Sequence, residues 1–181
     1  MANNHTKIII AGFGGQGVVL AGNILARASV MEDKHVTVMV SYGAEMRGGT
    51  ANSTVIVSDK KIASPFVETP DVAIILNQPS MDKFESSIIK NGLAVINTSL
   101  VSQPGSRDDI DRVSIEASDI ANSLGNTRTA NIVILGAFIK KTNLLKPESI
   151  IRAIEELFLA KRPTLVEVNI KAFNAGLANA K

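Results

Sequence analysis

Hydrophobic positions along this chain fall into two kinds of segment: short runs that are apolar at nearly every residue, and longer stretches with helical spacing. Residues 7–11 (KIIIA) read as a strand buried on both faces. GFGGQG, Gly12 to Gly17, follows as a turn. The spacing then predicts a helix over about residues 16–32, with Leu20, Ile24, Ala28 and Met31 on one stripe. HVTVMV (35–40) is a second strand, which completes a βαβ unit with a right-handed crossover. SYGAEMRGGTA (41–51) breaks every periodicity and reads as a polar, glycine-bearing loop. STVIVSDKKIAS (53–64) reads as a β-hairpin: a β-rich run, an Asp-Lys-Lys turn and a short second run.

DVAIILN (71–77) is another buried strand, and Pro79 suits the first turn of a helix running to about Ile89. Asn91-Gly92 is a turn and LAVINT (93–98) a strand. SQPGSRDDID (102–111) is a surface loop, RVSIEA (112–117) a short strand, and Ser118 or Asp119 the cap of a short helix. The last third is helical. NIVILGAFIKK (131–141) is apolar nearly all round, which predicts a buried helix with Asn131 as its cap. Pro147 opens a helix with Ile150, Ile151, Ile154, Leu157 and Phe158 on one face. Arg162-Pro163 separates it from a final helix that aligns Val166, Ile170, Phe173 and Leu177. These elements predict an α/β fold: a Rossmann-like, three-layer domain on a mostly parallel but mixed sheet that includes a β-hairpin. No repeat or linker interrupts it, so residues 1–181 read as one domain.

Composition narrows the function. A formal charge of +2, one Tyr and no Trp argue against a nucleic-acid surface. The absence of cysteine excludes disulfides, a thiol nucleophile and cysteine-held iron–sulfur clusters in this chain. His5 and His35 cannot by themselves make a structural zinc site. No apolar run is long enough to span a bilayer, and MANNHTK lacks the apolar core of a signal peptide. A cytoplasmic protein that touches no membrane is the expectation. No residue stands out as a nucleophile or redox centre, so no catalytic or metal-binding residue is assigned. The adjacent carboxylates Asp108-Asp109 and Glu155-Glu156 are expected to be solvated.

Three loops carry the candidate chemistry. Gly12, Gly14 and Gly17 satisfy G-x-G-x-x-G after a strand and before a helix, and Gly15 bares more backbone between them. Gln16 completes the turn. A dinucleotide site also needs an acid at the end of the second strand to hold the ribose. Here that strand ends Met39-Val40-Ser41-Tyr42. Two readings stay open: an anion-binding or docking turn, and glycines that merely let strand and helix pack. The loop from Tyr42 holds Glu45, Arg47, Gly48 and Gly49. A guanidinium beside bare backbone N–H groups suits a phosphate or carboxylate, with Glu45 to orient it, while a solvated local ion pair is the plainer alternative. Asn77 and Gln78 follow a strand at the same sheet edge, where ligands of parallel sheets bind, and Asn77 also suits helix capping.

GFGGQGVVLAGNILARA, SYGAEMRGGTANSTVIVSD and PDVAIILNQPSMDKF, with the TANIVILGAF helix beyond, resemble the gamma subunit of the 2-oxoacid:ferredoxin oxidoreductases. They are similar also to the equivalent gamma domain of pyruvate-ferredoxin oxidoreductase. The form SYGAEMRGGTAN resembles the 2-oxoglutarate or branched-chain members more closely than the indolepyruvate enzymes, with 2-oxoglutarate favoured. The resemblance implies a multisubunit complex that oxidatively decarboxylates a 2-oxoacid, couples the acyl group to coenzyme A and reduces ferredoxin. It places thiamine diphosphate, magnesium and iron–sulfur clusters on partner chains: alpha and beta subunits, and a ferredoxin-like delta subunit where present. It implies that this chain alone is inactive, with a homodimer one state open to it when isolated, and that the gamma domain lies beside the active site and serves coenzyme A access. Gly12, Gly14, Gly15, Gln16, Gly17, Tyr42, Glu45, Arg47, Gly48, Gly49, Asn77 and Gln78 are then the ligand or subunit-interface residues. A self-contained dinucleotide-binding oxidoreductase is the alternative.

Overall fold

The computed structural model describes residues 5–42, 50–159 and 162–180. Six strands form one sheet: β1 (His5–Phe13), β2 (His35–Tyr42), β3 (Thr50–Ser58), β4 (Val72–Ile75), β5 (Leu93–Asn97) and β6 (Asp111–Ile115). Their order across the sheet is β2-β3-β1-β4-β5-β6. β1, β4, β5 and β6 pair in parallel, and β3 pairs antiparallel with both β1 and β2. The sheet is therefore mixed as expected, with β3 the reversed strand.

The hairpin lies elsewhere than the sequence suggests. Residues 59–64 form no strand, and β3 begins at Thr50, inside the stretch read as loop. Its antiparallel partner is the preceding strand, β2. A second run after Asp59 would have needed a free edge of β3, and both edges are taken by β1 and β2.

The period-2 geometry of the strands sorts the core into two layers. Ile8 and Ile10 face one side with Ile74 and Val95, while Ile9 and Ala11 face the other with Ala73, Ile75, Ala94 and Ile96. The first side is covered by α1 (Val18–Met31), α3 (Ala117–Ser123), α4 (Ala130–Thr142), α5 (Pro147–Leu159) and α6 (Val166–Asn179). The second is covered by α2 (Gln78–Phe84), a 3₁₀ turn at Glu85–Ser87 and the loop through Val101 and Ile110. In α1 the buried stripe is Val18, Ala21, Leu25 and Ala28, flanked by Ile24, and Leu20 and Met31 are only half-buried. α4 is buried from Asn131 to Ile139, as its all-round apolarity requires. Gly136 and Gly176 face each other across α4 and α6, where an added Cβ on either would meet the other helix's backbone.

Neither expected cap of α3 or α4 serves that role. Glu116 precedes α3, whose Ser118 N–H donates to Asn97 Oδ1 (3.3 Å) and Asp119 N–H to Ser99 Oγ (3.2 Å). The capping groups thus come from the end of β5 rather than from the helix's own sequence. Thr129 precedes α4, and Asn131 reaches across to α1 instead. The loop before β6 is pinned. Arg107 holds Asp109 with two bonds (Nε–Oδ1 2.8 Å, Nη2–Oδ2 2.7 Å) and donates to Ile88 O, so Asp109 is paired and half-buried rather than solvated. Glu156 of the other acidic pair lies 3.6 Å from Arg27.

Candidate functional site

The C-terminal ends of the parallel strands carry a row of amides. At the end of β1 the chain turns through Gly12–Gly17 and enters α1 from Gly17, which lies at φ +77°. Gln16 Oε1 accepts from the Phe13 N–H (2.6 Å) and from Asn77 Nδ2 (2.7 Å). Asn77 follows β4, is buried, and accepts the Ser80 N–H on Oδ1 (3.0 Å), so it caps α2 and braces the glycine turn at once. Asn97, at the end of β5, donates to Leu76 O (3.2 Å) and to Ser118 Oγ (2.9 Å). The buried amides fix the turn from beneath.

The glycines divide into two sets. A Cβ at Gly12 would stand 2.7 Å from Gln16 Oε1 and 3.2 Å from Leu76 Cβ. One at Gly17 would strike the Asn131 amide, whose Nδ2 donates to Gly17 O (2.9 Å). Close packing therefore explains Gly12 and Gly17. It does not explain Gly14: among the described residues nothing lies within 4 Å of a Cβ there, and its φ is not positive. Gly14 and Gly15 are exposed, and among the described residues their N–H groups have no acceptor.

Gln78 is engaged locally. Its amide bonds Asp82 (2.7 Å) and both the carbonyl (3.1 Å) and the N–H (2.9 Å) of Gln103, tying α2 to the 102–110 loop. Tyr42 lies in register with Ala51, and Ala51 with Gly12. Thr50 is likewise opposite Phe13. Both ends of the SYGAEMRGGT segment thus stand on the sheet edge that bears the glycine turn. Glu45, Arg47, Gly48 and Gly49 lie outside the described residues.

In a dinucleotide site the second strand neighbours the first. Here β3 stands between β1 and β2, which puts the end of β2 two strand spacings, roughly 10 Å, from the end of β1. The strand order, as well as the missing acid, removes the usual ribose clamp.

Residues 7–179 match the family described as pyruvate ferredoxin/flavodoxin oxidoreductase. The chain belongs to this family. It is 38% identical over 178 residues to the 2-oxoglutarate synthase subunit KorC of Methanocaldococcus jannaschii, covering 97% of this chain and 94% of that one. It is 36% identical over 173 residues to the ketoisovalerate oxidoreductase subunit VorA of Methanothermobacter thermautotrophicus, covering 95% of this chain but 36% of VorA. The chain therefore spans about a third of the length of VorA and nearly all of KorC. The crystal structure of the keto/oxoacid ferredoxin oxidoreductase gamma subunit from Geobacter sulfurreducens superposes with a TM-score of 0.83 at 30% identity, covering 96% of each chain. The 2-oxoglutarate:ferredoxin oxidoreductase of Magnetococcus marinus shares the fold over 97% of this chain and 31% of its own, with a TM-score of 0.88 at 23% identity. Within the family this chain is of the gamma-subunit type.

Asn131 is the site residue whose role the sequence misplaces. At the head of an apolar helix it has the look of a cap, and its bond to Gly17, 114 positions away, is made by tertiary packing alone.

Proposed function

We propose that this chain is the non-catalytic gamma subunit of a complex that oxidatively decarboxylates a 2-oxoacid, 2-oxoglutarate first, to the acyl-coenzyme A and passes the electrons to ferredoxin. The observation that carries the reading is the glycine turn. Its buried side is held by Gln16 and Asn77, while its outer face, Gly14 and Gly15, offers N–H groups with no acceptor among the described residues and no side chain. Such a surface suits a partner backbone or an anion arriving from outside. The near full-length identity with a 2-oxoglutarate synthase subunit supports the substrate. Alpha and beta subunits, with a delta subunit where present, are the partners that carry thiamine diphosphate, magnesium and iron–sulfur clusters. This chain has no cysteine and no Gly-Asp-Gly motif with which to hold them. Arg47, on a segment that leaves from the same edge, is assigned to a carboxylate or phosphate across the subunit boundary, and the complex is placed in the cytoplasm.

The test is reconstitution. Alpha and beta subunits with this chain should oxidise 2-oxoglutarate in a coenzyme A-dependent way with ferredoxin as acceptor, and this chain alone should not. Turnover by the rigorously pure chain would contradict the reading, as would a complex that works equally well without it.

A further inference from the structure

Two strands bound the sheet, β2 and β6, and the chain treats them differently. β6 is five residues long and opens on Asp111 and Arg112, charges that discourage pairing at an edge. Both are engaged: Asp111 Oδ2 lies 3.5 Å from Lys141 Nζ, and Arg112 Nη2 lies 3.0 Å from Glu85 Oε1. β2 is eight residues long, HVTVMVSY, with no carboxylate, lysine, arginine, proline or glycine. Its outer side carries a row of backbone N–H and C=O groups, and among the described residues nothing pairs with them. From His35 to Ser41 none of its residues is buried, although Val36, Val38, Met39 and Val40 are large and apolar.

The apolar surface continues from this strand onto the helices beside it. Val36 of β2, Val30 and Met31 of α1 and Leu157 of α5 line a groove of about 590 Å³. Among the described residues five large apolar side chains are exposed, and two of them, Val30 (61%) and Val40 (39%), stand at this edge. The charged residues on the groove are Arg27 and Glu156, of opposite sign and 3.6 Å apart. An edge that is apolar, unguarded and balanced in charge is complementary to itself, because a second copy brings it no net like charge.

We propose that β2 pairs antiparallel with β2 of a second copy of this chain, joining the two sheets edge to edge. Pairing about a two-fold axis normal to the sheet keeps each face on its own side, so residues that meet must share a face. With the axis at Val38, residues 35–41 overlap, Val38 meets its own copy, and Val36 meets Val40 of the second copy. Val36 and Val38 pack on the helix-covered side, and the strand's period of two puts Val40 there as well. The seam is then a row of β-branched pairs, which favour antiparallel pairing. Both copies of α1 lie on the same side of the joined sheet, with their grooves turned toward each other.

The inference rests on the chain's own edge, not on the activity proposed above, and is tested on the full chain without partners. Sedimentation equilibrium should find a dimer. The double variant Val30→Lys, Val40→Lys should raise its dissociation constant at least about tenfold with an unchanged circular dichroism spectrum, because lysine on an edge opposes pairing and both positions are exposed. Leu100→Lys, equally exposed but beyond β5, should leave the dimer intact. The chain has no cysteine, so Val38→Cys introduces a single thiol. Diamide oxidation should link that variant into a covalent dimer, since facing residues on antiparallel strands stand about 4.5–5.5 Å apart at Cα. Val40→Cys is more exposed but lies about 13 Å from its own copy in this register, and should link poorly. Stronger linking at Val40→Cys than at Val38→Cys would overturn the proposal, as would a dimer that survives the double variant. A monomeric wild type would overturn it too, and if the double variant then failed to copurify with alpha and beta subunits, the edge would belong to those partners instead.

Discussion

Gln16 uses one oxygen to satisfy two donors, the backbone N–H of Phe13 and the amide of Asn77. Removing it leaves both without an acceptor in a partly or wholly buried setting. An unsatisfied buried donor costs about 1–3 kcal/mol, so Gln16→Ala should destabilise the chain by roughly that amount. Urea unfolding measures it, with a lowered midpoint and an unchanged slope as the expected result. A wild-type midpoint would show that the turn holds its shape without this brace. Asn131 belongs to the same scale, since its amide secures the carbonyl at the turn's far end. The turn is thus fixed at both ends by side-chain amides, from the cap of α2 on one side and from α4 on the other.

At the scale of elements, the loop before β6 is an electrostatic clasp. Arg107 grips Asp109, and Glu85 accepts from the Arg107 N–H (3.1 Å) and from Arg112 Nη2 (3.0 Å). The Arg107 guanidinium, mainly through its hydrogen bonds, holds the Asp109 carboxyl below its ordinary value near 3.8. A lowered folded-state pKa means the pair's contribution is whole above that ordinary value and is lost as pH falls through the folded one. A carboxyl NMR titration should place the Asp109 midpoint below the ordinary value, and Arg107→Gln should raise it. A midpoint unchanged by that substitution would contradict the clasp. Most of these elements can be read in the sequence, because buried strands and the α4 helix announce themselves as apolar runs. What it hides is non-local. β3 looks like the first half of a hairpin with residues 59–64 until β1 and β2 are seen to occupy both its edges. Arg162 looks like a break between helices until packing sets it on the same cavity as Arg128. Gly14 and Gly17 look alike in GFGGQG, and their surroundings alone separate the open one from the packed one.

For the whole molecule, the sheet order and the turn argue together. β3 between β1 and β2 takes away the ribose clamp, and the buried amides leave a rigid glycine surface facing out. The central claim is that this surface serves the assembled complex rather than the fold, and Gly14→Val tests it most directly. Among the described residues nothing opposes a side chain there, so the melting temperature of the isolated chain should match wild type. Gly17→Val is the contrasting variant: at φ +77° and against Asn131, a branched side chain should destabilise the chain itself. With Gly14→Val, copurification with alpha and beta subunits, or the apparent affinity of the complex for coenzyme A, should fall at least about tenfold, as expected when a branched side chain blocks a close backbone approach. A Gly14→Val chain that folds, assembles and turns over like wild type would contradict the account.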